Sequence, residues 1–407
     1  MGTPSAQPHA GTGRACLRGL SAIAMLPIIE TIPLQTLASG DRLFLQVYKY
    51  IGAQPGKKVY VQSNLHGNEI AGNVVMHHLM EWLNSLDDTQ LTGEIWLVPM
   101  CNPIGANHRT HHYATGRFNP YDGKDWNRIF WDYETAEPDL KEFAQSQWGL
   151  DVETIQQNYR QRIRAKFNLL LDEIESPAGV PFGEKYRYLL QSLCLDADYL
   201  IDLHTSVDTG VDYVYYFRDR QDSAHLFGLE FAILLDRYDG DAFDEAFIKP
   251  WLALEACLAD VGQPTRFDIE AWTLELGTGM QVNPNSVNAG LEGVKQYLRQ
   301  KGVVSWPTDP LLPDAASSPV ATQLVSRHQV QRYYAPVGGT LYSRVPLRTA
   351  VQAGDRLYQI LWFNKAGDLP AIADVFAAES GFVFDVSTNQ SVNEGEYVIG
   401  IIRNQDS

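Results

Sequence analysis

The spacing of apolar residues predicts a chain in which strands and helices alternate. In KKVYVQSN, from Lys57 to Asn64, apolar and polar positions alternate as in a short strand, and EIAGNVVMHHLMEWL downstream carries apolar residues at helical spacing. The run NLHGNE between them therefore sits at a strand-to-helix junction. Strands are predicted at 43–50, 58–63, 94–99, 199–203, 213–217 and 271–276, with helical patterns between several of them. That alternation argues for an α/β sheet covered by helices. From Thr135 to Leu195 a long polar, helix-favouring stretch includes DVETIQQNYRQRIRAKFNLLLDEI. It reads as a helical insertion packed on the core in the ordinary way, in preference to a lid or an oligomer contact.

Two points in this pattern carry metal-binding residue types. His66 and Glu69 of HGNE are three residues apart and can face one side if the chain turns sharply, which Gly67 permits. His204 follows the strand-like ADYLID and is expected to come off the end of its own strand. In open α/β sheets ligands gather outside the carboxyl ends of the strands, and both segments would deliver their residues there. Two imidazoles and one carboxylate form a set that holds a catalytic zinc ion and leaves a fourth position for water. Glu275 in AWTLELG is different: as the odd polar residue of a strand, between Leu274 and Leu276, it reads by itself as a solvated surface position.

The order of further motifs adds a resemblance. HGNE, the Asn102-Pro103 turn, Arg117 followed by DGKDWNRIF, DLHT and TLELG occur in the order seen in the succinylglutamate desuccinylase and aspartoacylase family, over roughly residues 40 to 300. Members are zinc hydrolases with a fold similar to that of metallocarboxypeptidases, which implies a mixed sheet flanked by helices. The form RFNPYDGKDWNR most resembles the branch of deacetylases acting on N-acetylated diamino acids. The resemblance implies that His66, Glu69 and His204 are ligands of one Zn2+ per chain and that Glu275 is the general base. It also implies that Arg117 polarises the scissile carbonyl, with Arg109 as a second claimant, while Asn127 and Arg128 grip a substrate carboxylate.

These residue types suit amide hydrolysis. Zinc lowers the pKa of bound water from about 15.7 toward 7. Glu275 would take the proton and pass it to the leaving amine, and Arg117 would stabilise the developing oxyanion. The planar fork of Arg128 can bind a carboxylate through two hydrogen bonds. The expected reaction is hydrolysis of the amide bond of a small, anionic N-acyl amino acid. The alternatives are a zinc carboxypeptidase that trims a peptide and a metal-binding or assembly protein without chemistry.

Composition narrows the setting. The chain has 407 residues, 45% of them hydrophobic, with a formal charge of −17. That charge argues against nucleic acid, which rewards clustered Lys and Arg. No stretch approaches the roughly 20 continuous apolar residues of a membrane span. Cys16, Cys101, Cys194 and Cys257 are scattered without paired spacing, which favours free thiols and a cytoplasmic setting. Residues 1–27 are expected to be a disordered leader, 28–305 the catalytic domain with its insertion near 135–195, and 306–326 a Pro-rich linker. Residues 327–407 contain two echoing Gly-strand-Gly-strand stretches and resemble the small all-β barrel-sandwich domain of biotinyl and lipoyl carriers. Lys365, in the turn FNKAGD, lacks the carrier motif and reads as a turn lysine, which leaves this domain as a structural cap or assembly module. A homo-oligomer remains open. His77, His78, His108, His111 and His112 are assigned to no metal, because the sequence shows no convincing carboxylate partner for them.

Overall fold

Three strands form the scaffold beneath the HGNE and DLH motifs. Gln54–Ser63, Tyr199–Ser206 and Glu270–Thr278 lie side by side and parallel, with Val61 opposite Ile201 and Glu275 opposite His204. Alternate residues enter opposite layers. Val59, Val61, Ile201, Leu203, Trp272, Leu274 and Leu276 pack with the helices Ala71–Asn84 and Pro284–Gln300. Tyr60, Leu200 and Ala271 pack with the helices Val152–Ile174, Phe182–Cys194 and Phe243–Asp260. A sheet covered on both faces explains the apolar runs Val59 to Val61, Tyr199 to Ile201 and Ala271 to Trp272 in the middle of these strands.

This computed structural model describes residues 25–136, 138–238, 240–305 and 321–404. Nearly all of the expected leader, with Cys16, and most of the expected linker lie outside the described residues. The α/β architecture is as expected: among the described residues a 14-stranded mixed sheet has helices on both faces. Among them, no helix is long and apolar enough to cross a membrane. The insertion contains the helices Leu140–Ser146, Val152–Ile174 and Phe182–Cys194. Ile155, Tyr159, Ile163 and Phe167 form a buried stripe at helical spacing, so the insertion belongs to the core.

The pattern did not predict the strands Ile28–Thr36 and Phe231–Leu235. The first pairs only with Arg42–Ile51 at the sheet edge and shifts register after Pro33, so the missing N–H interrupts no interior ladder. At the end of the expected linker, Gln323–Val325 is itself a strand, parallel to Phe231–Leu235.

Beyond it the described chain is all strand and turn apart from one short helical turn at Arg327–Gln329. Gly339–Arg344, Arg356–Trp362, Ala371–Phe376 and Ser391–Val392 form a four-stranded sheet. Val330–Tyr334, Gly381–Val386 and Tyr397–Arg403 instead continue the large sheet. The splice is the two-residue strand Thr209–Gly210, which pairs with Thr278 on one side and with Asp385 and Val386 on the other.

Candidate metal centre

The turn between Ser63 and Ala71 is built by close approach. Asn64 holds a left-handed φ of 65° and donates from its amide to the carbonyls of His66 and Glu69, closing the loop on itself. Gly67 has no left-handed φ, so the expected reason for a glycine there changes. A Cβ on Gly67 would stand 1.9 Å from the Gly105 carbonyl oxygen, and only glycine fits against the short helix Pro103–Asn107. Asn102 clamps the same loop by donating to the Leu65 carbonyl at 2.7 Å. His204 was expected at a strand end but lies inside Tyr199–Ser206, two residues before its close.

These backbones bring His66, Glu69 and His204 together in burial, at 3%, 1% and 4% exposure. His66 Nδ1 lies 2.8 Å from Glu69 Oε1, and His204 Nδ1 lies 2.8 Å from Glu69 Oε2. The outer nitrogens face carboxylates as well. His66 Nε2 is 2.9 Å from Asp125 Oδ1, and His204 Nε2 is 3.0 Å from Asp202 Oδ2, the latter out of alignment for a hydrogen bond. A neutral imidazole has one ring proton. If it serves the outer carboxylate, a lone pair on Nδ1 faces an oxygen of Glu69, and only positive charge between them relieves that contact. The donor set therefore fits a cation at the inner face, held by two imidazole nitrogens and a carboxylate and oriented by outer carboxylates.

With no cation between them, the same negative field favours protonated imidazoles. Burial alone would depress His66 and His204, but Glu69 with Asp125, and Asp202 with Glu69, raise both above the usual histidine range. Burial would raise Glu69, yet the two histidines outweigh it and hold the carboxyl below its usual range. Asp125 is held at about 2, burial being outweighed by His66 and Arg117.

Glu275 is not a solvated surface residue. Leu274 and Leu276 turn into the helix layer, and Glu275 turns to the cleft beside His204, with Oε2 buried and without a partner. Burial, with Glu69 adding and His204 opposing, pushes it up to about 7. A carboxyl near neutrality can both accept and return a proton. Arg117 brings Nη1 to 3.3 Å from His66 Nδ1 and 3.4 Å from Glu69 Oε1, with Nε 3.1 Å from Asp125. Arg109 turns away, bonding the carbonyls of Ala106 and His108, and it does not line the cleft. The Asn127 side-chain oxygen accepts from the Phe243 N–H, and Arg128 donates to the Asn127 carbonyl. Both line the cleft with His66, Glu69, His204, Arg117 and Glu275.

Sequence reasoning missed Asp125 and Asp202. The sign of Asp202 was available: two residues before His204 on a strand, it shares that residue's face. Asp125 sits inside DGKDWNR, where nothing local announces a partner. Also missed was the far wall of the cleft, a space of about 1700 Å³ lined in part by Arg332, Tyr334, Phe384, Asp385 and Tyr397 from the C-terminal strands. No described residue of the helical insertion lines it. Away from the cleft, His77 and His78 gather around Glu81 on an exposed helix face, at 3.5 and 2.9 Å.

Comparison with known proteins bears on the same segments. The family model for the succinylglutamate desuccinylase/aspartoacylase catalytic domain matches residues 55–169. No curated protein gives a significant sequence match. Among solved structures, a Shewanella amazonensis protein assigned to that family shares 26% identity at a TM-score of 0.79, covering 92% of this chain and 98% of its own. A Shewanella frigidimarina protein with the same assignment shares 23% identity at 0.81, covering 94% and 100%. The product-bound ectoine utilization protein of Ruegeria pomeroyi shares 15% identity at 0.63, covering 95% and 98%. The matched segment carries His66, Glu69, Arg117, Asn127 and Arg128 on the geometry described above, and over residues 55–169 the chain is similar to the succinylglutamate desuccinylase/aspartoacylase catalytic domain.

Proposed function

We propose that the cleft hydrolyses the amide bond of an N-acyl amino acid, with one zinc ion held by His66, Glu69 and His204. The observation that carries the reading is the buried triad flanked by a carboxyl poised near neutrality and by Arg117. Zinc bound there would supply a water acidified from a pKa of about 15.7 toward 7 and would polarise the carbonyl. Glu275 takes the proton from the attacking water and returns it to the leaving nitrogen. Arg117 donates to the carbonyl oxygen as negative charge grows on it. Arg128 and the free amide nitrogen of Asn127 orient the substrate by its carboxylate. Asp125 holds both His66 and Arg117, so ligand and oxyanion donor keep a common reference.

The test is metal analysis together with turnover by the zinc-loaded enzyme. N-acetyl, N-succinyl and longer N-acyl amino acids are compared with short peptides. Amine release from the acyl compounds is expected; release from peptides alone would overturn the reading in favour of a carboxypeptidase. One observation favours that second reading, namely a cleft of about 1700 Å³, larger than a small acyl amino acid needs. We read the C-terminal strands as a barrel-sandwich module, supported by their separate apolar cluster and second sheet. The free thiols of Cys101, Cys194 and Cys257 support a reducing, cytoplasmic setting.

A further inference from the structure

The wall across from Glu275 carries a cation without a partner. Val330–Tyr334 pairs antiparallel with Tyr397–Arg403, with Arg332 opposite Gly400, and this strand lines the cleft. Of the other arginines of the cleft, Arg117 is engaged by Asp125, Arg128 by the Asn127 carbonyl, Arg218 by the Leu252 carbonyl, Arg327 by the Arg237 carbonyl and Arg403 by Glu379, while Arg237 is exposed to solvent. Arg332 makes no side-chain hydrogen bond or ion pair among the described residues, although it lies among Tyr213, Tyr215, Tyr334 and Tyr397. The nearby acids are already occupied. Asp385 accepts from Ser206 Oγ at 2.8 Å and from the Tyr397 hydroxyl at 2.6 Å, and Asp208 accepts from the Thr388 N–H at 3.1 Å.

The wall is also tied to the metal side. Tyr213 and Tyr215 stand on the strand paired to Glu270–Thr278, with Tyr213 opposite Glu275, and Tyr215 lies within the fields of both Glu275 and Arg332. The Ser206–Asp385 hydrogen bond and the pairing of Gly210 with Asp385 fix the C-terminal strands against the strand that carries His204. A guanidinium preorganised in this way meets an anion with little ordering cost.

We propose that Arg332 is a specificity-determining residue whose fork binds an anionic group at the end of the substrate remote from the scissile amide. The C-terminal strands then select substrate charge and do more than cap the fold. The inference rests on the N-acyl amino acid reading for its substrate, and its test separates the two.

Full-length, zinc-loaded wild type, Arg332→Ala, Arg332→Gln and Arg332→Lys are compared on matched pairs that differ in one charge. The pairs are N-acetylglutamate against N-acetylglutamine and N-succinylalanine against N-butyrylalanine. Wild type should prefer a charged member. Arg332→Ala and Arg332→Gln should raise its KM about 10–100-fold, as expected for losing a hydrogen bond to a charged group, with the neutral partner changed less than about 2-fold. Arg332→Lys should fall between, and zinc content should be equal in all four. Equal effects on both members of a pair, or a wild type indifferent to the charge, overturn the proposal. If wild type cleaves none of the four, calorimetric binding of glutarate decides. Loss of binding in Arg332→Ala and Arg332→Gln keeps the anion site while the deacylase reading fails, and unchanged or absent binding overturns the site itself.

Discussion

Among the described residues, two clusters contain two histidines and a glutamate each, and they differ in everything except composition. His66, Glu69 and His204 are buried, come from the loop after one strand and from within another, and have carboxylates behind both imidazoles. His77, His78 and Glu81 lie along one helix face, with side-chain exposures of 66%, 44% and 60%. The second set is held only by its own flexible side chains. Residue types close together do not make a strong metal centre; burial and a rigid outer layer do.

The largest expected effect tests that contrast directly. His204→Ala should reduce bound zinc from one per chain to nearly none, while a double His77→Ala, His78→Ala variant keeps it, as measured by elemental analysis after dialysis. The opposite result would move the centre to the helix. Next, Glu275→Gln should retain zinc and lose about 10²–10⁴-fold in kcat. Turnover near that of wild type would remove Glu275 from the reaction. Arg117→Ala should retain zinc and lose about 10²–10³-fold in kcat. A change in KM alone would make Arg117 a binding residue.

The outer layer should register more weakly. Asp202→Asn and Asp125→Asn should each lower zinc affinity about 10–100-fold, measured by competition with a chelator. Affinities equal to wild type would show that the buried cluster owes its advantage to burial alone. Gly67→Ala adds a methyl where the Gly105 carbonyl stands, and it should cost about 1–3 kcal/mol in denaturant unfolding of the metal-free protein. A neutral result would mean that the loop yields freely.

The contrast also explains what the sequence could disclose. His66 and Glu69 share one turn, and His204 shares a strand pattern with its neighbours, so the ligands lie within reach of local reasoning. Glu275 needed tertiary context, because alternation says that it faces away from Leu274 and Leu276 but not whether a cleft or solvent lies there. Asp125 escaped because its partner is 59 residues away, on another element. The strand Ile28–Thr36 was hidden by Pro33, which weakens a strand reading although an edge tolerates it. The far wall was illegible for a stronger reason: Arg332 and Asp385 reach the cleft through long-range pairings, Thr209–Gly210 with Gly381–Val386 and Gln323–Val325 with Phe231–Leu235, whose registers no local pattern specifies.

That two-residue splice bears on how such a protein can diversify. The strands that position the candidate ligands and the strands that form the far wall share one hydrogen-bonded sheet, so the C-terminal region is not a detachable cassette. A chimera that exchanges it must keep Asp385 against Gly210 and Val386 against Thr209. A slip of one residue would turn every side chain of that strand to its opposite face and carry Asp385 away from Ser206. New substrate preferences are therefore reached more readily by point changes on this wall than by swapping it whole.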